Sequence, residues 1–501
     1  MKNKFLAIIL VLILTIASGC SVKTEEVKPL TLHSLIETVN KNNEAFIKRD
    51  ATYDEAEYIG DYEDIEFSDA EIKSLSMFDY DNVTKEEAKE DIDMMFRVLK
   101  SLYAGYTYFG GDEAFNQAKE EIKASIDSFE KNKINQQDFA QIIKQSLSFV
   151  KDSHFKVAGN QCFDESHTYY ESSKMEFRET ESGYFTVIDD KRYYLPEEYE
   201  KYLKVTITES GELVYGIFAV ATKSEKEELP DQIELSAGSK TKNIKLEWIL
   251  SEVGGDQATY AEYSEENSVA ISSLSGMSLT EFNFTQLNDF LNNSKKHAEH
   301  EYSILDLRNN DGGTAEIDMM WIYGYTGEIT DITYPQIVFA GDFYDKFAEY
   351  SENDQYLELY TELDITDEKL ESEFSSKEIP TGIAKVDGTL GIKPEGMISN
   401  NNTLFVLQSK RNVSSGEVFI MMLDSVENTL SVGTNTNGCI HTGNVFGICL
   451  PNSGLPLMYS KSVFVGFEKD FDVYGLEPDI YIADDDAQDA VLRCIEYYSD
   501  K

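Results

Sequence analysis

The sequence predicts an α/β core that follows an N-terminal helical domain and a β-rich middle module. Three observations predict it. Between Thr84 and Val150 apolar residues recur three and four positions apart, as in Met95, Val98, Leu99 and Leu102, which is the stripe of a helix facing a core. Between about residues 162 and 248 the period shortens. Runs such as Tyr184–Ile188, Leu203–Ile207, Leu213–Phe218 and Ile233–Leu235 are rich in β-formers and bounded by turn residues. From about residue 267 onward, strand-like runs (Val269–Ile271, Ile304–Leu307, Leu404–Leu407) alternate with helical segments, the pattern of an α/β core.

Residues 1–19 read as an address. Met1-Lys2-Asn3-Lys4 is a basic start, Phe5–Ile16 is apolar but short for a membrane span, and Ala17-Ser18-Gly19 lead to Cys20. The segment resembles a bacterial lipoprotein signal. That implies cleavage before Cys20, a lipid on Cys20, and attachment to the extracytoplasmic face of the cell membrane. An uncleaved anchor or an ordinary secretory signal is the alternative. Residues 20–80 are acidic and read as a tether or surface-hugging arm, with one amphipathic helix near Leu32–Ile47. Residues 81–158 form the helical domain. It opens on Thr84 as an N-cap before Glu86 and Glu87, which suit the positive end of a helix dipole. The domain ends in a loop that carries His154. Residues 159–265 are the β-rich module, and residues 266–501 the α/β domain. Within that domain an acidic insertion spans about residues 342–400, where Phe347, Tyr350, Tyr356, Leu357 and Leu359 predict a helix.

At 501 residues the chain exceeds one simple core, and 41% hydrophobic residues with 12% aromatics can fill several. The formal charge of −48 opposes binding to nucleic acid, because no basic face could offset that field. Besides Cys20 there are four cysteines, Cys162, Cys439, Cys449 and Cys494. Either they pair, with Cys439 and Cys449 able to close a short hairpin, or they stay as four buried thiols. Neither a CxxC pair nor HExxH occurs, so the usual zinc signatures are missing, and no metal or other cofactor is expected.

Chemistry concentrates in two places. Tyr302-Ser-Ile-Leu-Asp-Leu-Arg308-Asn-Asn-Asp-Gly312-Gly313 is a buried strand that breaks into a glycine turn before a helix. Amides bared at such a turn suit a developing negative charge. Ser414, in Asn412-Val-Ser414-Ser415-Gly416-Glu417, has a similar strand–turn–helix setting. It reads as a nucleophile, with the amide of Ser415 aimed at the same oxygen as one from Gly312 or Gly313; the plainer role is a helix N-cap. A nucleophile needs a base. His154, where a helix gives way to an extended segment, is the candidate of interest, with His167 and His441 as competitors.

Five ordered segments resemble the S41 family of serine peptidases, which includes C-terminal processing peptidases and tricorn-type peptidases. They are Val150-Lys-Asp152-Ser153-His154, Asp306–Gly313, Ser414–Glu417, Val432-Gly433-Thr-Asn-Thr436-Asn-Gly438, and Gly475-Leu-Glu-Pro478-Asp479. The resemblance implies a ClpP/crotonase-like α/β core and peptide-bond hydrolysis of a polypeptide substrate, with Ser414 attacking and His154 as base. Processing peptidases carry a lysine base where this chain has Cys439, so the tricorn-type arrangement applies. In that arrangement Ser153 supports the histidine and Asp472 is the orienting acid, with Glu477 as substitute. Amides of Gly312, Gly313 and Ser415 are implied at the oxyanion. The alternative is a catalytically inactive S41-like lipoprotein that binds peptides or scaffolds partners.

Overall fold

A computed structural model describes residues 25–49, 52–77, 82–251, 260–278, 283–331, 334–350, 383–387, 395–466, 471–483 and 486–499. Residues 1–24, with Cys20, lie outside this set, as do Tyr356, Leu357, Leu359, Asp484 and Asp485.

A six-stranded sheet organises the C-terminal half. Its strands run in the order Ala261–Glu266, Val269–Leu274, Tyr302–Asp306, Thr403–Gln408, Thr429–Gly433, Ile480–Tyr481. All pairings are parallel except the first. Both faces of the central strands are covered, so Tyr302–Asp306 and Thr403–Gln408 are apolar on both sides, while the edge strand Ala261–Glu266 is polar and largely exposed. Leu305, Leu404 and Val406 enter a core with helices Phe284–His297, Glu316–Thr326 and Ser415–Leu423. Ile304, Phe405 and Leu407 enter a second core with helices Leu32–Ile47 and Ala487–Ser499. Because the central strands are parallel, their carboxyl ends share one edge, where open α/β sheets place their ligands. Three loops therefore gather there: Leu307–Gly313, Ser409–Ser414 and Thr434–Cys439.

A second sheet delivers the histidine. Strand Pro456–Phe464 pairs with Thr442–Cys449, with Pro335–Phe339, and with the short strand Lys156–Val157 just after His154. Leu457 stands opposite Val157 and Met458 opposite Lys156. The amide of Ala104, just past helix Lys85–Leu102, donates to the Ser460 carbonyl at 3.0 Å. Leu457 and Tyr459 also belong to the core of the helical region, alongside Ile92, Leu99 and Phe155. Thr84 caps its helix as expected, its hydroxyl accepting from the Glu87 amide.

The middle module holds a four-stranded sheet (Trp248–Leu250, Ser166–Glu171, Leu213–Thr222, Leu203–Ile207) and a five-stranded one built on Gln232–Ala237 and its neighbours. Phe177, Ile217, Ile233 and Leu235 fill the space between them. The acidic N-terminal stretch hugs the body. The Lys28 amide donates to the Glu179 carbonyl at 2.9 Å, Ser182 donates to Glu25 at 2.6 Å, and helix Leu32–Ile47 buries Leu32, Leu35 and Val39. Of the acidic insertion, helix Asp342–Tyr350 and a strand Ile383–Asp387 are described. All four cysteines past Cys20 are free and buried, so the Cys439–Cys449 hairpin bridge is not formed.

Candidate active site

Ser414 sits at the N-terminus of helix Ser415–Leu423, at the end of the Ser409–Ser414 loop. Its backbone is at φ 56°, ψ −124°, a region that side-chain-bearing residues avoid at a cost of about 1–3 kcal/mol. The surroundings hold it there. Its amide donates to Glu417 Oε2 at 3.1 Å, and the Val413 amide donates to the Asn310 carbonyl at 3.1 Å. The result brings the hydroxyl to the imidazole: Ser414 Oγ lies 3.0 Å from His154 Nε2. The two residues are 260 positions apart in the chain.

His154 is buried, at 6% exposure, while Ser414 is half-buried. Burial pushes the imidazole below its ordinary pKa of 6.5, and Lys156 adds to this, against the pull of Asp152 and of a hydrogen bond to the Thr442 backbone. On its far side, Nδ1 faces Thr442 Oγ1 at 3.3 Å. His167 lies in strand Ser166–Glu171 opposite Ala221, and His441 packs edge-on against Tyr108; the imidazole at Ser414 is that of His154.

The glycine loop approaches the same hydroxyl. A Cβ on Gly312 would stand 3.1 Å from Ser414 Cβ and 2.7 Å from the Val413 carbonyl, so only glycine lets the backbones meet, and its φ of +86° says the same. Its amide, expected at the oxyanion, instead donates to Asn310 Oδ1 at 2.9 Å, because the asparagine closes a tight turn on its own loop. The amides of Gly313 and Ser415 have no partner among the described residues, and the Ser415 hydroxyl donates to the Gly313 carbonyl at 2.9 Å, tying loop to helix.

The expected acid lies elsewhere. Asp472 accepts the amides of Ser153 (3.1 Å), Ile440 (3.3 Å) and His441 (2.8 Å), and makes no hydrogen bond to the imidazole. Burial, with the charge of Asp152, pushes its carboxyl well above the usual range. Ser153 Oγ turns to the Asp472 carbonyl at 3.3 Å. This pair therefore fastens the backbone on either side of the histidine pocket. Glu477 is at the surface, paired with Lys204 at 2.8 Å.

Three residues with no role assigned from the sequence are brought here by the fold. Asp152 is fully buried and accepts from the His154 amide (2.8 Å), Thr442 Oγ1 (2.7 Å) and Tyr103 OH (2.8 Å). Its place two residues before His154 was the available signal. Thr442 and Tyr103 offered none. Cys439 is buried with its thiol pKa pushed well up, chiefly by desolvation, so it does not replace a lysine base. Among the described residues no group of three or more His, Cys, Asp or Glu side chains is arranged to hold a metal ion.

Strained serine, adjoining imidazole and two open amides form an arrangement of the serine-hydrolase class on an α/β sheet. Residues 273–482 match the model of peptidase family S41, so this stretch is an S41 peptidase domain and points to a serine-type peptidase. The His154 loop lies before the matched stretch. No curated protein matches the chain. Similar solved structures include mature CPAF complexed with lactacystin (14% identity, TM-score 0.43, 83% of this chain and 99% of that one). A lipoprotein from Streptococcus agalactiae is 11% identical (TM-score 0.37, 84% and 99%). The photosystem II D1 C-terminal processing protease is 13% identical (TM-score 0.33, 79% and 93%).

Proposed function

We propose that the protein is a lipid-anchored, extracytoplasmic serine peptidase that hydrolyses peptide bonds by Ser/His catalysis. The observation that carries this is the 3.0 Å contact between Ser414 Oγ and His154 Nε2. That is hydrogen-bond reach for a general base and its nucleophile. His154 takes the hydroxyl proton as Ser414 Oγ bonds to the scissile carbonyl carbon. The amides of Gly313 and Ser415 receive the oxyanion, and the proton then passes from His154 to the leaving amine. Water completes the cycle by attacking the acyl-enzyme. The S41 domain favours polypeptide substrates, and its sheet suits a ClpP/crotonase-like core completed by the histidine loop of residues 81–158.

A fluorophosphonate probe tests the chemistry. Labelling is expected on Ser414 and is expected to vanish in Ser414→Ala. A folded wild-type protein that takes up no probe, or keeps it on another serine, sinks the assignment and leaves the inactive, peptide-binding alternative. The anchor is a separate proposal, motivated by the small residues before Cys20. Fatty-acid labelling of cells should mark the wild type and not Cys20→Ser; equal incorporation in both would refute it.

A further inference from the structure

We propose that Thr442 is a positioning residue that connects the buried charge of Asp152 to His154 and fixes which ring nitrogen carries the proton. This rests on the Ser/His reading above and deepens it.

Asp152 Oδ1 accepts from the amides of His154 at 2.8 Å and Phe155 at 3.2 Å and from Thr442 Oγ1 at 2.7 Å, and Oδ2 accepts from Tyr103 OH at 2.8 Å. Four donors converge on a carboxyl with no solvent exposure, so both its oxygens serve as acceptors. A threonine hydroxyl has a single proton, and here it points to Asp152. The same oxygen is 2.9 Å from Ser460 Oγ, which donates to it, and 3.3 Å from His154 Nδ1. With its proton committed, Thr442 Oγ1 can only accept from the ring. Nδ1 must therefore bear hydrogen, which leaves the Nε2 lone pair facing Ser414 Oγ.

When Nε2 gains the serine proton, the ring becomes an imidazolium whose Nδ1–H still donates to Thr442. The negative charge of Asp152 is then one hydroxyl away. No proton need leave Thr442 or reach Asp152. The strands explain the convergence: Thr442 opens Thr442–Cys449, which pairs with Pro456–Phe464, and that strand also holds Ser460 and pairs with Lys156–Val157 beside His154. Asp472, which takes backbone amides, and Ser153, which takes its carbonyl, do not share this role.

The test compares Thr442→Val, Thr442→Ser and Asp152→Asn with the wild type. The readouts are the second-order rate of fluorophosphonate labelling across pH and the ¹⁵N shifts of the His154 ring. Valine keeps the shape and removes the hydroxyl acceptor, so only the Thr442 backbone still faces the ring, and the ring can place its proton on Nε2, facing the serine. Labelling should fall by about 10²- to 10⁴-fold, as when a triad loses the group that fixes its tautomer. Thr442→Ser should stay within about tenfold of wild type, and Asp152→Asn should fall with Thr442→Val. Wild-type ring shifts should report Nδ1–H, and Thr442→Val should shift toward Nε2–H. Valine labelled within twofold of wild type, or a wild-type ring already protonated on Nε2, overturns the inference. If Thr442→Val does not fold, Asp152→Asn decides by the same criteria. A wild type that takes no probe sinks the hydrolase reading instead, and the ring shifts still judge the inference.

Discussion

Replacing His154 by alanine is expected to lower peptide-bond hydrolysis by about 10⁶-fold, the scale seen when a serine enzyme loses its base. Ser414 would keep its strained backbone and the Gly313 and Ser415 amides, so some residual rate above water should survive. Turnover of a mixed peptide library by purified wild type and variant checks this. A loss below about tenfold would remove His154 from the chemistry. Acid sensitivity provides an independent reading. The base works only when neutral, and burial lowers its pKa from 6.5. The rate should therefore rise with pH through a midpoint below that value and be near its plateau at neutral pH. An acid limb centred above pH 7 would point to another group.

A pair 260 positions apart meets because two sheets are stitched at one place. Helix Ser415–Leu423 and its loop leave the carboxyl edge of the parallel sheet, which fixes Ser414. The antiparallel pairing of Leu457 with Val157 carries the chain just past His154 onto the same unit. The helical region contributes by packing. Ala104 is bonded to Ser460, and Tyr103 reaches Asp152, so the helical layer and the imidazole's support share one joint.

Much of this was legible in the chain. Strand Thr403–Gln408 and helix Lys85–Leu102 follow from periodicity and a cap, because burial on a defined face imposes a repeat on the sequence. Ser414, Gly313 and Ser415 stood out because a turn between strand and helix needs special residues at special spacing, and His154 because it lies where a helix gives way to an extended segment. What could not be read was which side chains answer one another across sheets. Asp472 was expected at the ring because the family resemblance places an acid a few residues before Gly475, yet its carboxyl takes the amides of Ser153 and His441. Gly312 was expected as an oxyanion donor, and a side chain two residues back captured its amide. Thr442 is an ordinary strand threonine until the fold sets Asp152 and His154 on either side of it.

Glu417 carries the second large expectation. It is fully buried on helix Ser415–Leu423 and gathers the donors that shape the site: the amides of Ser414 (3.1 Å), Gly438 (2.7 Å) and Cys439 (2.7 Å), and the hydroxyl of Thr436. Glu417→Ala would strand two buried amides, those of Gly438 and Cys439, and the half-buried amide of Ser414; each buried one is worth about 1–3 kcal/mol when left without an acceptor, so a local loss of at least about 2 kcal/mol is expected. A chain with several cores need not unfold in one step, so amide hydrogen exchange at Gly438 and Cys439 is the appropriate measurement. Exchange there slowed or unchanged would refute the role. Burial pushes the Glu417 carboxyl from 4.5 up to about 7, because desolvation outweighs the hydrogen bonds from Thr436, Gly438 and Cys439 and the charge of Lys410, which favour its ionised form. Between those values the folded chain holds the proton more firmly than the unfolded one. The contribution of this titration to stability is therefore full below about pH 4.5 and is lost as pH rises through about 7. Against Glu417→Gln, which has no such proton, the wild type should lose protection at Gly438 and Cys439 across that window and level off above it. A difference that grows with pH over the same range would mean the donors win and the carboxylate is ionised throughout.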